Sequence, residues 1–289
     1  MSFRETPLAA GIHFVATPIG NARDITLRAL DVLASADVIA AEDTRTARHL
    51  MDIHGIPVKG RPMIPYHDHN GAQARPRLLA LAEEGKSVAY ASEAGMPLVA
   101  DPGFQLGREA IARGIPVTGV PGASAPLAAL TISGLPSDRF LFAGFPPAAG
   151  GARRSWIKGL AEVEATLILF ESPKRVNRLL GELCEGLGGE RQAAICRELT
   201  KKFEEALRGT LSELVARLDG VALKGEIVVV IDRPGTVEVD PGDLDAAIRL
   251  ARQDLRVKDA AAQVADRFGL PRRDVYQRAL ELDRNDAGE

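Results

Sequence analysis

Glu171, Lys174 and Arg175 lie in the run Phe170-Glu-Ser-Pro-Lys-Arg175, where a carboxylate precedes two cations after an apolar stretch. Such a group can accept a proton at the carboxylate while the cations hold an anion. Arg197-Glu-Leu-Thr-Lys-Lys202 repeats the arrangement after the next apolar stretch and adds Lys201. Isolated charges of this kind are usually solvated surface, but two clusters at neighbouring strand ends favour an anionic partner. In Ala40-Ala-Glu-Asp-Thr-Arg45, residues Glu42, Asp43 and Arg45 are expected to face a crevice mouth or the start of a helix, with Asp43 either a functional acid or a plain N-cap.

Two further stretches offer mainly backbone. Ala16-Thr-Pro-Ile-Gly-Asn21 leaves a strand for a helix; Pro18 and Gly20 set a tight turn, and Asp24 suits the helix cap. Gly20, lacking a side chain, lets backbone approach a ligand edge. The loop Ala91-Ser-Glu-Ala-Gly-Met-Pro-Leu-Val-Ala-Asp-Pro-Gly103 packs small residues, prolines and acids together. It offers donors and acceptors to an adenosine-type ligand, and the Glu93 carboxylate to hydroxyls or an ammonium group. Tyr66-His-Asp-His-Asn70 puts both imidazoles on one side only when extended, and no third ligand stands at a recognisable spacing. A polar, substrate-facing loop is expected there, and no metal. Neither GxGxxG nor GxxxxGK[ST] occurs, which disfavours dehydrogenases and P-loop enzymes.

These residues need strands to carry them. Ile12–Ala16, Asp37–Ala41, Ser87–Ala91 and Pro116–Val120 read as buried strands, alternating with helices over 25–35, 44–54, 73–84 and 104–113. That alternation predicts a parallel sheet covered on both faces, with ligands beyond the carboxyl ends of its strands. After a break at 120–125 and another at 134–137, strands are expected over 140–145, 166–170, 193–197 and 226–232. Helices over 154–162, 174–187 and 211–218 separate them, giving a second α/β domain. Beyond Arg233 the pattern turns helical over 244–251, 259–268 and 272–282, the last two joined through Gly269-Leu-Pro271 in helix-turn-helix outline. Nine Arg/Lys against six Asp/Glu over 249–284 leave capping and nucleic-acid binding equally open. The expected architecture is α/β, with domains over 1–122 and 123–235, parallel or mixed sheets, and a small helix-turn-helix-like segment over 243–289.

Composition narrows the class further. A 289-residue chain with 46% hydrophobic residues suits two domains with real cores. The net charge of −3 argues against coating nucleic acid non-specifically, and 4% aromatics disfavour binding that relies mainly on stacking. Cys184 and Cys196 have no CxxC spacing and read as ordinary thiols of a reducing compartment. With no signal-peptide core and no membrane-length apolar run, a cytoplasmic protein is expected.

The ordered set ATPIGNARDITLRAL, AAEDTRTARHL, YHDHN, SEAGMPLVADPG, GVPGASA, SGLPSDRFLFAGF, FESPKR, RELTK, LRGTL and KGE resembles the ribosomal RNA 2′-O-ribose methyltransferases of the tetrapyrrole-methylase superfamily. The match runs from about Gly11 to Arg233, and the C-terminal helices resemble the small helix-turn-helix appendage of those enzymes. The resemblance implies S-adenosylmethionine in a cleft between two α/β domains, a homodimer, and methylation of a cytidine ribose of 16S ribosomal RNA in the decoding centre. It implies a cofactor pocket of Pro18, Gly20, Ser92, Glu93, Ala94, Gly95, Pro97, Leu98, Ser124 and Ala125, with Phe170, Leu199 and Gly225 from the second domain. Where the family usually has Ser-Asp-Ala-Gly-Thr-Pro, this chain has Glu93, one methylene longer, and Met96, which lacks the hydroxyl.

For such a reaction Asp43, His67 and Glu171 are the expected proton acceptors. Arg45, Lys174, Arg175 and Lys201 are the expected phosphate anchors, which position RNA without reading it. The acidic overall charge points to RNA presented on assembled 30S subunits. Two other readings stay open: methylation of a tetrapyrrole or protein side chain on the same fold, and a DNA-binding regulator using the helical segment.

Overall fold

The computed structural model describes residues 3–67, 70–99, 103–235, 241–268, 270 and 272–286. They form two compact units, Met1–Asp232 and Arg233–Glu289.

In the first unit, runs buried at every position form β1 (Gly11–Val15), β2 (Val38–Ala41) and β4 (Ser87–Ala91). With β3 (Met63–Pro65) and β5 (Val117–Val120) they make an all-parallel sheet in the order β3-β2-β4-β1-β5. Helices α1 (Leu27–Ser35) and α2 (Thr44–Ile53) cover one face, packing Leu30, Leu33 and Met51 against Val15, Ile39 and Ala89. Helices α3 (Gly71–Glu83) and α4 (Phe104–Ala112) cover the other, packing Leu78, Leu79 and Leu106 against Ile12, Phe14, Val88 and Tyr90. Coverage of both faces explains why β1, β2 and β4 are buried at successive positions rather than at alternate ones.

The second sheet is mixed. Its strands are β6 (Phe140–Gly144), β7 (Thr166–Glu171), β8 (Gln192–Arg197), β9 (Glu205–Thr210) and β10 (Ile227–Ile231), in the order β6-β7-β10-β8-β9. Only β6 and β7 pair parallel; β10 runs antiparallel to β7 and β8, and β9 antiparallel to β8. Helices α6 (Gly150–Leu160), α7 (Val176–Leu187) and α8 (Leu211–Leu218) pack on one face with Leu167, Leu169, Ile195 and Val229. Helix α5 (Ala125–Ser133) packs on the other with Ile168, Ala194, Cys196 and Val228.

Several local features differ from the sequence reading. β3, β9 and α5 are additional elements. The cap of α1 is Thr26, whose hydroxyl accepts from Ala29 N, while Asp24 sits in the preceding turn with its amide bonded to Asn21 O. Helix α7 begins at Val176, although the Ser172 carbonyl already accepts from the amides of Arg175 and Val176.

The described residues of the second unit form three helices, α9 (Pro241–Arg252), α10 (Val257–Phe268) and α11 (Arg272–Asp286). Ile248, Val264, Val275, Ala279 and Leu282 form its core. Arg278 clasps Asp245 with two hydrogen bonds of 2.8 and 2.7 Å, tying α11 to α9. Gly269 and Pro271 of the expected turn lie outside the described residues. Among the described residues no helix is long and apolar enough to cross a membrane.

Candidate active site

A cleft of about 800 Å³ opens between the two sheets of the first unit. Thr17–Gly20 and Glu93–Met96 line one side; Phe170–Pro173, Lys201 and Gly225–Val228 line the other, with Ser124–Pro126 where α5 begins. The cleft thus lies beyond the carboxyl ends of β1 and β4, where a parallel sheet exposes its loop backbone.

The first side is stapled to itself. Thr17 and Gly95 exchange backbone hydrogen bonds of 3.1 and 3.0 Å. The Thr17 hydroxyl donates to the Ser92 carbonyl at 3.1 Å, and the buried Ser92 hydroxyl donates to the Gly95 carbonyl. Gly95 has a φ of 80°, and a Cβ there would stand 3.1 Å from Ile19 Cγ2 and 3.4 Å from the Ala123 carbonyl. A side chain would strain this turn and crowd the approach between loops. Leu98 follows in a left-handed conformation at φ 70°, and Ala100, Asp101 and Pro102 of the same loop lie outside the described residues.

The second side leans on the first through the turn after β8. Gly20 packs so closely on it that a Cβ would lie 2.7 Å from Thr200 Oγ1 and 3.0 Å from the Leu199 carbonyl. Glu198 and Thr200 both hold positive φ, 50° and 65°, a conformation that costs non-glycine residues of order 1–3 kcal/mol each. Hydrogen bonds over-determine it. Glu198 Oε1 accepts from the Glu226 amide at 3.0 Å and from Lys201 Nζ at 3.1 Å, and Lys201 also reaches Glu226 Oε2 at 3.1 Å. The Glu226 amide and Lys201 hold the Glu198 carboxyl below its ordinary range. Burial works against the Lys201 charge, but its two carboxylate partners leave its pKa raised on balance.

On the cleft wall are the expected residues Pro18, Gly20, Glu93, Ala94, Gly95, Ser124, Ala125, Phe170, Glu171, Lys201 and Gly225. Ser92 and Leu199 are buried against it from behind, and Pro97 and Leu98 follow the Gly95 turn without lining it. The remaining expected residues lie elsewhere. Asp43 caps α2 by accepting from the Arg45 amide at 2.8 Å, and its carboxylate pairs with the Arg45 guanidinium at 2.7 Å. The Arg45 side chain and amide hold the Asp43 carboxyl down to about 2, and that arginine side chain is 91% exposed. His67 binds Asn70 Oδ1 through its amide at 2.8 Å, while Asp68 and His69 lie outside the described residues. Lys174 is exposed, and Arg175 donates to Glu171 Oε1 at 2.7 Å.

Glu171 reaches the wall at the end of β7, but strand alternation sets its side chain on the face opposite Phe170. Leu167 and Leu169 join the core under α6 and α7, whereas Ile168 and Phe170 join that under α5. The Glu171 carboxylate accordingly meets Arg175 and the Ser172 amide and adds to the electrostatic hold on Arg153 of α6. Its Oε2 is buried and makes no hydrogen bond.

Sequence reasoning passed over one face of α2. Thr46, His49, Leu50 and Ile53 line the cleft together, at the three- and four-residue spacing of one helix side, next to Glu42, which was expected at a crevice mouth. That periodicity was readable in AEDTRTARHLMDI. Phe145 and Glu226 also line the cleft. Among the described residues no group of three or more His, Cys, Asp or Glu is placed to hold a metal ion.

Comparison with known proteins adds kinship to this geometry. The model of Tetrapyrrole (Corrin/Porphyrin) Methylases matches residues 11–215, and that of the RsmI C-terminal HTH domain matches residues 238–283. The chain is 49% identical to ribosomal RNA small subunit methyltransferase I of Mesorhizobium japonicum over 277 residues, covering 96% of this chain and 93% of that protein. The protein of the same name from Mycobacterium tuberculosis strain CDC 1551 is 42% identical over 275 residues, covering 94% and 95%. Among solved structures, the methyltransferase CobJ superposes with a TM-score of 0.61 at 20% identity, covering 80% of this chain and 98% of that one. Uroporphyrin-III C-methyltransferase from Thermus thermophilus, solved with S-adenyl homocysteine, gives a TM-score of 0.52 at 21% identity, covering 76% and 96%. These structures share the fold.

Proposed function

The chain belongs to the tetrapyrrole (corrin/porphyrin) methylase family, and we propose that it transfers the methyl group of S-adenosylmethionine to small-subunit ribosomal RNA. The observation that carries this reading is the near-full-length identity to relatives named ribosomal RNA small subunit methyltransferase I. In finer terms, the acceptor is the ribose 2′-oxygen of a cytidine of 16S RNA, the working substrate is the assembled 30S subunit, and the enzyme is a cytoplasmic homodimer. The division into 1–122, 123–235 and 243–289 belongs to the same proposal.

The cleft fits the cofactor. Its volume is that of a small-molecule site, Gly20 and Gly95 bring backbone close, and Glu93 supplies a carboxylate. Pro18, Gly20, Glu93–Gly95, Ser124, Ala125, Phe170 and Gly225 would hold it, supported by Ser92, Pro97, Leu98 and Leu199. S-adenosylmethionine, when bound, supplies a methyl already activated on sulfonium. What remains for the protein is alignment, worth up to several kcal/mol, and a lesser contribution from proton removal. Asp43, capped, ion-paired and held to about 2, is a weak proton acceptor. Glu171 is assigned to positioning: its carboxylate fixes the strand-end turn through Ser172 and Arg175. Arg175 and Lys174 then meet the RNA backbone, while Lys201, clasped by Glu198 and Glu226, holds the cleft wall.

Incubation with methyl-labelled S-adenosylmethionine and either 30S subunits or naked 16S RNA tests the reading. Faster labelling of 30S subunits is expected; equal or faster labelling of naked RNA would sink the preference for the assembled particle.

A further inference from the structure

A large ring at the cleft mouth has no partner role in the core. Phe145 is 57% exposed and lines the cleft beside Phe170, Ser172 and Pro173. Its position is built. Strand β6 pairs Phe142 with Ile168 and then Gly144 with Leu169, so Ala143 is an extra residue and the strand carries a bulge. Gly144 turns the chain at φ 71°. Without the bulge, alternation would set Phe145 with Ala143 on the face under α6 and α7, to which Ala143 packs. With it, Phe145 follows Gly144 as Phe170 follows Leu169, and the two rings share the α5-side face that opens into the cleft. Bulges commonly re-aim a side chain next to an active site.

The ring is also braced. Its centroid lies 5.4 Å from that of Phe170 at 62°, and Phe170 lies 4.9 Å from Phe142 at 66°, so the aromatic contacts are edge-to-face. With this edge-to-face contact and its large exposure, the Phe145 ring keeps surface open to a second ring. A cation stands alongside: Arg175 Nη2 donates at 3.5 Å to the carbonyl of Pro146, the residue after Phe145. A flat apolar face next to a half-exposed guanidinium matches one nucleotide, with its base on the ring and its phosphate on the cation.

We propose that Phe145 is the platform on which the base of the target nucleotide stacks when its ribose enters the cleft. The proposal rests on the RNA-methyltransferase reading and names the residue that orients the substrate there. Stacking on one ring is tolerant of base identity, so Phe145 positions the nucleotide and leaves the choice of base to other contacts.

Steady-state methylation of 30S subunits by Phe145→Ala, Phe145→Trp and the unaltered protein tests it, together with calorimetric binding of S-adenosylmethionine and solution mass. For Phe145→Ala the KM for 30S subunits is expected to rise about tenfold or more, as loss of one base–aromatic contact requires. Affinity for S-adenosylmethionine and solution mass are expected to stay unchanged, and Phe145→Trp to restore KM. An unchanged KM for Phe145→Ala overturns the proposal. So does a parallel loss of cofactor affinity, which would give the ring to the adenine, or a changed mass, which would give it to a second copy of the chain. If the unaltered protein methylates no 30S subunits, the underlying functional reading fails as well; if it does and Phe145→Ala matches it, the stacking proposal fails alone.

Discussion

The amide of Asn21 donates to the hydroxyl of Thr200 at 3.0 Å, joining the turn after β1 to the turn after β8 across 179 positions of chain. Gly20, the preceding residue, lies against the same loop. The two sides of the cleft are therefore registered by a hydrogen bond and a close backbone approach, and the width of the cleft depends on both.

Gly20→Ala is expected to push these sides apart. The new Cβ would stand 2.7 Å from Thr200 Oγ1 and 3.0 Å from the Leu199 carbonyl, and the carbonyl belongs to a backbone that cannot swing aside. S-adenosylmethionine affinity should fall roughly tenfold or more, since small misplacements at a site are costly. Calorimetry reads this directly. Undiminished binding would mean the sides yield freely.

Asp43→Asn separates capping from catalysis. Asparagine caps helices about as well as aspartate, and α2 is capped through Asp43. Turnover on 30S subunits should stay close to that of the unaltered protein. A loss of about 10²–10⁴-fold, the usual worth of a general base, would make Asp43 that base after all.

The fold was legible where elements bury one face against a sheet. The runs around β1, β2, β4, β7, β8 and β10 are apolar enough to read directly, and the parallel sheet covered on both faces follows from their alternation with helices. β3 is three residues long and ends on Pro65, and β9 is the polar edge run EALRGT, so neither carries a strand signal. Helix α5 hides for the opposite reason. Ala125, Ala128, Ala129, Leu130 and Ile132 are all packed in its core, so its apolar residues wrap around the helix and leave no amphipathic stripe. At the site, turns marked by Gly20 and Gly95 announced themselves, because glycine is needed there. Phe145 did not, because its face depends on a bulge that no sequence period displays.

Acid stability should report the Arg153–Glu182 pair, which joins α6 to α7 with little exposure of either side chain. The Arg153 hydrogen bond, helped by Arg178, holds the Glu182 carboxyl down to about 2 from its ordinary 4.5. A carboxyl depressed on folding contributes stability above its ordinary pKa and loses it as pH falls towards the folded value. Melting temperature should decline over that window, and Glu182→Gln should remove that part of the decline. At neutral pH, Glu182→Ala should lower stability by more than a surface pair contributes, because it takes from Arg153 its principal carboxylate partner. Urea titration measures it, and a loss under about 1 kcal/mol would match a surface pair instead.

Thiol labelling separates the two cysteines. Burial pushes the Cys196 thiol up to about 11, whereas Cys184 is partly exposed. Iodoacetamide at mildly alkaline pH should modify Cys184 in the folded protein and reach Cys196 only on denaturation. Equal rates, read by mass spectrometry of peptides, would contradict the buried position of Cys196 beside Ala129.

Methyl transfer to a ribose 2′-oxygen of the small ribosomal subunit, as proposed, leaves a chemical trace in the RNA backbone. Its most direct test is to methylate 30S subunits with the protein, extract the RNA and map partial alkaline hydrolysis. A 2′-O-methyl group blocks cleavage at its own nucleotide, so one new gap is expected in the ladder, at a cytidine of 16S RNA, appearing only with S-adenosylmethionine. A complete ladder with label on the RNA would place the methyl on a base and overturn ribose methylation, and absence of label altogether would overturn methyl transfer to this RNA.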